Sequence, residues 1–396
     1  MAVMSAPVGG SRPFLNRRLA AFGTTIFAEM SALAARTGSI NLGQGFPDTD
    51  GPAEIAEAAS RAVLSGRGNQ YPPGPGIPEL RNAIAAHQQR FYGLSYDPDT
   101  EVLVTAGATE AIAAALLALL EPGDEVIALE PFYDSYAACI AMAGATRVPV
   151  TLRPRDGVFA LDLDELRRAV TPRTRLLLLN TPHNPTGAVL TGAELAAIAE
   201  LAVERDLLVV TDEVYEHLVF EGAHTPLAGL PGMRERTVSI SSAGKTFSFT
   251  GWKVGWVTAS PALVSAVRSA KQFLTYVSSG PFQYAIAEAL ALPDGYYESF
   301  RADLAHKRDI LTAGLRAAGF EVFRPQGTYF ITTDIAPLGE KDGLAFCRSL
   351  PDRCGVVAIP NSVFYDDKEA GRTQVRWAFC KRTDVLEEAA TRLQRL

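Results

Sequence analysis

The run Ser241, Ser242, Ala243, Gly244, Lys245, Thr246, Phe247, with Gly251, Trp252, Lys253 and Gly255 just behind it, decides how this chain is read. It follows the apolar stretch 237–241, so Lys245 is expected where a strand ends in a cleft. Gly244, Lys245 and Thr246 spell the last three residues of a phosphate-binding Walker loop, but that loop needs glycine five positions before Gly244, where Ser239 stands. The Walker reading fails on its own spacing. Two readings of Lys245 stay open: a solvated loop lysine, the ordinary place for this residue type, and an amine that forms a Schiff base with a phosphorylated aldehyde, with Ser242 and Lys253 placed to reach the phosphate.

The 396 residues suggest two domains sharing a large buried core. A composition of 47% hydrophobic and 20% charged residues is that of an ordinary globular protein. The formal net charge of -7 argues against a general binder of nucleic-acid backbones. The four cysteines, Cys139, Cys347, Cys354 and Cys380, form no CxxC pair and read as reduced core thiols. Residues 1–15 lack an apolar segment of signal-peptide length, and the longest apolar run, 111–120, is about half of the roughly 20 residues a membrane span needs. A cytoplasmic protein with no membrane or nucleic-acid partner is expected, and no metal site.

Short apolar runs at 102–105, 125–129, 176–180, 207–211, 238–241 and 255–259 alternate with helical patterns, as in a largely parallel sheet flanked by helices. A helix is expected over about 52–64 and another over 111–120. Ligands of such sheets gather at the carboxyl ends of the strands, so the residues just beyond each run matter most. There stand Gly107, Ala108 and Thr109 at a helix start suited to an anion, and Tyr133 after the second run. Asn184 follows in the rigid turn 180–187, with His183 read as a loop histidine without a catalytic role. Asp212 ends an apolar strand, where a carboxylate needs a partner, and a cationic ring nitrogen would serve. Tyr71 falls in the loop 69–76, whose prolines and glycines permit no regular element.

Taken together, Asn-Pro-Thr-Gly at 184–187, Asp212 with Tyr215, and Ser-x-x-x-Lys ending at Lys245 resemble the class I aminotransferases of the fold type I pyridoxal phosphate enzymes. The resemblance runs from about Phe27 to the end. Within the family it is strongest towards the N-succinyldiaminopimelate aminotransferases and the kynurenine, glutamine and methionine branch, through residues 41–48, 69–76, 130–136 and 212–217. It implies an α/β fold with a large cofactor-binding domain, 51–293, built on a mostly parallel sheet, and a small α+β domain from 1–50 and 294–396. It implies pyridoxal 5′-phosphate as cofactor, an L-amino acid and 2-oxoglutarate as substrates, and a homodimer with shared sites.

Residue by residue, the resemblance makes Lys245 the Schiff-base lysine and proton carrier and Asp212 the partner of the protonated pyridine nitrogen. Asn184 and Tyr215 would bond the ring's phenolic oxygen, and Tyr133 would stack on the ring. Gly107, Ala108, Thr109, Ser242 and Lys253 would hold the phosphate, joined by Tyr71 of a second subunit. Arg376, in a strand expected near 375–379, would grip the substrate α-carboxylate with the backbone of Gly45. Phe27 stands where kynurenine-preferring members often carry tryptophan, and Thr109 where they often carry tyrosine, which leans against an aromatic substrate. The favoured donor is N-succinyl-LL-2,6-diaminopimelate, which implies lysine biosynthesis. The alternatives are a broad kynurenine, methionine and glutamine aminotransferase and a cysteine-conjugate β-lyase. A transcription regulator on this fold would need a DNA-binding domain ahead of the matched region and is the poorer reading.

Overall fold

The computed structural model describes residues 14–396; residues 1–13, part of the expected small domain, lie outside the described residues. Seven strands form the central sheet: β1 (Val102–Thr105), β2 (Glu125–Glu130), β3 (Thr146–Thr151), β4 (Thr174–Asn180), β5 (Leu208–Asp212), β6 (Thr237–Ser242) and β7 (Gly255–Thr258). Their order is β1-β7-β6-β5-β4-β2-β3. The run from β6 to β3 is parallel, and only β7 opposes its neighbours.

The apolar runs are continuous because both faces of this sheet are covered. In β4, Leu176 and Leu178 enter one core cluster and Leu177 and Leu179 the other. In β2, Val126 and Ala128 alternate in the same way with Ile127 and Leu129. Each fully buried valine, leucine or isoleucine among them contributes about 1.5–3 kcal/mol. Strand β3 shows no apolar run in the sequence, because Arg147 and Pro149 break its pattern. It lies at the sheet edge, paired only with β2, where a missing N–H is tolerated.

A second, antiparallel sheet follows: β8 (Glu321–Phe323), β9 (Phe330–Asp334), β10 (Ile359–Pro360) and β11 (Gln374–Ala378), in the order β8-β9-β11-β10. The helices Asp294–Ala317, Gly343–Cys354, Thr383–Leu393 and Ile26–Thr37 supply residues to the same core as this sheet. That core also takes Val214, Tyr215 and Leu218, which follow β5, so the two sheets meet around the loop after Asp212. Ile40–Asn41 pairs with Val356–Val357, tying the N-terminal segment to the C-terminal part.

Two helix boundaries differ from expectation. The helix expected from 111 spans Gly107–Leu119 and begins earlier because Glu110 accepts the Ala106 N–H at 2.6 Å, satisfying a donor at the helix start. Pro52 is the residue before the helix Ala53–Leu64, not part of its first turn. All four cysteines are free and buried. Among the described residues, no helix is long and apolar enough to cross a membrane.

Candidate active site

Strands β1, β4, β5 and β6 all deliver their carboxyl ends to one cavity of about 370 Å³. Lys245, Asp212, Tyr215, Asn184, Tyr133, Gly107, Ala108, Thr109, Ser242, Lys253, Gly45, Phe27 and Arg376 all line it. Tyr71 does not. It is 81% exposed and meets Tyr276 edge-on at 5.4 Å.

Lys245 sits on the short helix Ala243–Thr246 that begins as β6 ends. Its Nζ donates one long bond, 3.3 Å, to the Gly45 carbonyl and lies 5.8 Å from the Tyr215 ring. Burial lowers its pKa to about 8, against the pull of Cys380 and Asp212. The amine is therefore partly neutral near physiological pH. Asp212 closes β5, and burial raises its carboxyl to about 6, even though the Tyr136 hydroxyl donates to Oδ2 at 2.6 Å. Its Oδ1 accepts only a long contact, 3.4 Å, from the Val214 N–H.

Arg376 comes from β11 in the second sheet and is 1% exposed. Nη1 donates to Asn184 Oδ1 at 3.0 Å and Nη2 to the Gly43 carbonyl at 2.7 Å, while Nε is buried without a partner among the described residues. The guanidinium lies over Phe330 at 4.1 Å and Phe27 at 5.0 Å. Asn184 is itself held by its N–H donating to Asn180 Oδ1 at 2.7 Å.

At the far end, Gly107 opens its helix with φ +77°, and a Cβ there would stand 3.2 Å from Nζ of Lys253. A Cβ on Gly255 would stand 2.6 Å from the Gly107 carbonyl carbon, so glycine is required at both. The free N–H groups of the helix start, the Lys253 amine and Ser242 form a cradle for an anion. Gly45 is equally constrained, since a Cβ would meet Phe330 Cζ at 2.4 Å.

His183 lies outside this cavity. It stands in the turn after β4, as expected, but is buried there at 3% exposure, with Nδ1 2.8 Å from Thr186 Oγ1. Tyr136, Asn180, Gln44 and Phe330 also line the cavity, and no motif in the sequence marks them as site residues. Tyr136 follows Tyr133 by three residues, one helical turn, which puts the two rings on the same side.

Residues 37–393 match the profile of the family aminotransferase class I and II. The chain is 57% identical over 385 residues to a probable N-succinyldiaminopimelate aminotransferase of Mycobacterium tuberculosis, covering 95% of this chain and 97% of that protein. A solved structure of N-succinyldiaminopimelate aminotransferase from Mycobacterium tuberculosis superposes with a TM-score of 0.94 at 57% identity, over 96% of this chain and 99% of that one. The methionine aminotransferase of Escherichia coli is 41% identical, over 96% of this chain and 97% of that protein. The architecture is that of the fold type I aminotransferases. This chain belongs to the class I and II aminotransferases.

Proposed function

We propose that this aminotransferase holds pyridoxal 5′-phosphate in the Lys245 cavity and moves the amino group of N-succinyl-LL-2,6-diaminopimelate to 2-oxoglutarate. The observation that carries the reading is a single cavity joining the Lys245 amine, the buried Asp212 carboxylate and the Arg376 guanidinium. The residues fit the cofactor. Asp212 keeps acceptor capacity at Oδ1 for a protonated ring nitrogen, and the cradle of Gly107, Ala108, Thr109, Ser242 and Lys253 suits a phosphate. Tyr133 offers a ring face, Asn184 keeps its amide N–H groups to donate, and Tyr215 offers its hydroxyl.

When bound, pyridoxal phosphate supplies an aldehyde for amines and a ring that takes up the electron pair released at the substrate's Cα. Lys245 Nζ would hold that aldehyde until the substrate amine displaces it, then take the proton from Cα; a pKa near 8 suits a base for that task. Asp212 would keep the proton on the ring nitrogen, and Tyr136 holds Asp212 in place. Arg376 would bind the substrate α-carboxylate through its planar fork, with Asn184 orienting the guanidinium. Phe27 and Phe330 flank that guanidinium and keep water from its faces.

The donor is supported by the N-succinyldiaminopimelate relatives, with lysine biosynthesis as the setting. A broad methionine, kynurenine and glutamine aminotransferase is the second reading, supported by the methionine and kynurenine relatives and by the apolar Phe46 in the cavity wall. Cofactor-loaded protein mixed separately with glutamate, N-succinyldiaminopimelate, kynurenine and methionine, followed by cofactor absorbance, tests it. Reaction with glutamate and the succinylated donor alone supports the first reading, and equal or faster reaction of methionine or kynurenine overturns it. Pyruvate released from an added cysteine S-conjugate, with the thiol expelled and no oxo-acid acceptor present, would mark β-lyase action. The division into domains at 51–293 and the flanking segments is supported by the two separate sheets. A homodimer is supported by exposed Tyr71, Phe273 and Tyr276. Buried free thiols support a cytoplasmic setting.

A further inference from the structure

Behind the loop that carries Tyr215, three of the chain's five histidines gather: His87, His217 and His224. His87 and His217 face each other Nε2 to Nε2 at 2.7 Å. A carboxylate oxygen of Glu216 joins them, and the three ligand atoms all lie within 4.8 Å of one another. His87 is 2% exposed and Glu216 5%. Glu216 Oε1 accepts from the Ser241 hydroxyl, while Oε2 is buried without a well-aligned hydrogen bond among the described residues, the Tyr92 hydroxyl being the donor beside this carboxylate. None of the three lines the Lys245 cavity, and the amino-transfer chemistry uses none of them.

We propose that His87, Glu216 and His217 form a site for one divalent transition-metal ion, with zinc the best chemical match. Two imidazole nitrogens and one carboxylate oxygen are a donor set that such ions select, and three protein ligands leave a fourth position for water. The Glu216 oxygen that lacks a well-aligned donor would gain a cation, which offsets the cost of burying a poorly satisfied acceptor. Two imidazoles at this distance in a buried place cannot both carry charge, so at least one ring presents a lone pair. Tetrahedral zinc with bonds of about 2.0–2.1 Å sets its nitrogens about 3.3 Å apart, so the rings must part by about 0.6 Å. His217 has room to move, because it and Glu216 line a second cavity of about 250 Å³ that also reaches His224, Tyr92 and Arg301. That cavity gives the ion a way in and the water a place to stand. His224 Nε2 is engaged with Glu213 Oε2 at 2.9 Å and stays a neighbour of the site.

The test is equilibrium dialysis of chelator-treated holoenzyme against increasing Zn²⁺, with bound metal counted per chain. One saturable equivalent is expected, weakened at least tenfold in His217→Ala and in Glu216→Gln and unchanged in His306→Ala. Zn²⁺ should also raise the thermal midpoint of the parent protein and not that of His217→Ala. His217 is only partly buried, so its variant is the one expected to fold even if changes at His87 do not. Absent or unsaturable uptake, or uptake unaltered in folded His217→Ala, overturns the site and leaves a plain histidine–histidine hydrogen bond.

Discussion

The Tyr136 hydroxyl donates a 2.6 Å hydrogen bond to Oδ2 of Asp212, and both residues are buried. The bond holds the carboxyl pKa down against a burial that pushes it up. Hydrogen bonds to charged groups contribute about 1.5–3 kcal/mol, so Tyr136→Phe is expected to lower kcat by roughly 10–100-fold with little change in KM. The acid limb of the pH–rate profile should move up, since Asp212 loses a group that favours its ionised form. An unchanged kcat and profile would mean the bond is only structural.

Asp212→Asn is expected to retain cofactor yet lose most of its turnover. Its effect on the cofactor-free protein should have the opposite sign. A folded carboxyl near 6, against the ordinary 3.8, makes the folded state bind more protons than the unfolded state. Stability is therefore lost as pH rises between about 4 and 6. At neutral pH the asparagine variant should be more stable by on the order of 1–3 kcal/mol, readable by denaturant titration. Equal or lower stability would show that the burial cost is met elsewhere.

An amine reacts with an aldehyde only in its neutral form, so the proposed link at Lys245 requires the neutral lysine. With its pKa lowered to about 8, the rate of cofactor loading onto stripped protein should climb as pH rises through that value and level off above it. Stopped-flow absorbance measures the rate, and a flat profile between about pH 6 and 9 would refute the assignment. Lys245→Ala should abolish both the lysine-linked absorbance and amino transfer; survival of both would place the covalent link on another residue.

Arg376→Lys keeps the charge but replaces a planar fork by a point donor. We expect KM for amino-acid donors to rise roughly 10–100-fold, because the bidentate contact is lost, while cofactor binding stays as before. Asn184→Ala should show a smaller rise, as it removes the acceptor that orients Nη1. Parent-like KM values in Arg376→Lys would point to a different carboxylate anchor.

Tyr71 at 81% exposed, Phe273 at 85% and Tyr276 at 56% leave aromatic surface uncovered on one subunit. Light scattering should therefore give a dimer mass. In Tyr71→Phe the dimer should persist while the cofactor is released several-fold faster, through loss of a phosphate contact across the interface. A monomer with full activity would contradict the shared-site proposal.

The sequence alone determined the strands that carry chemistry, because a sheet covered on both faces needs unbroken apolar runs such as Leu176 to Leu179, and Asp212 and Lys245 stand out where those runs stop. It determined the glycines at 107 and 255 as well, where no side chain fits. Edge strand β3 stayed hidden, since Arg147 and Pro149 are tolerated only where one side of a strand is unpaired. The tertiary structure decided which residues meet. Arg376 reaches Asn184 across 192 positions of chain, and His87 reaches His217 across 130. Local patterns follow from short-range sterics and burial, whereas such meetings depend on strand order and on how the second sheet packs over the first. Those long-range choices leave no periodic trace in the sequence.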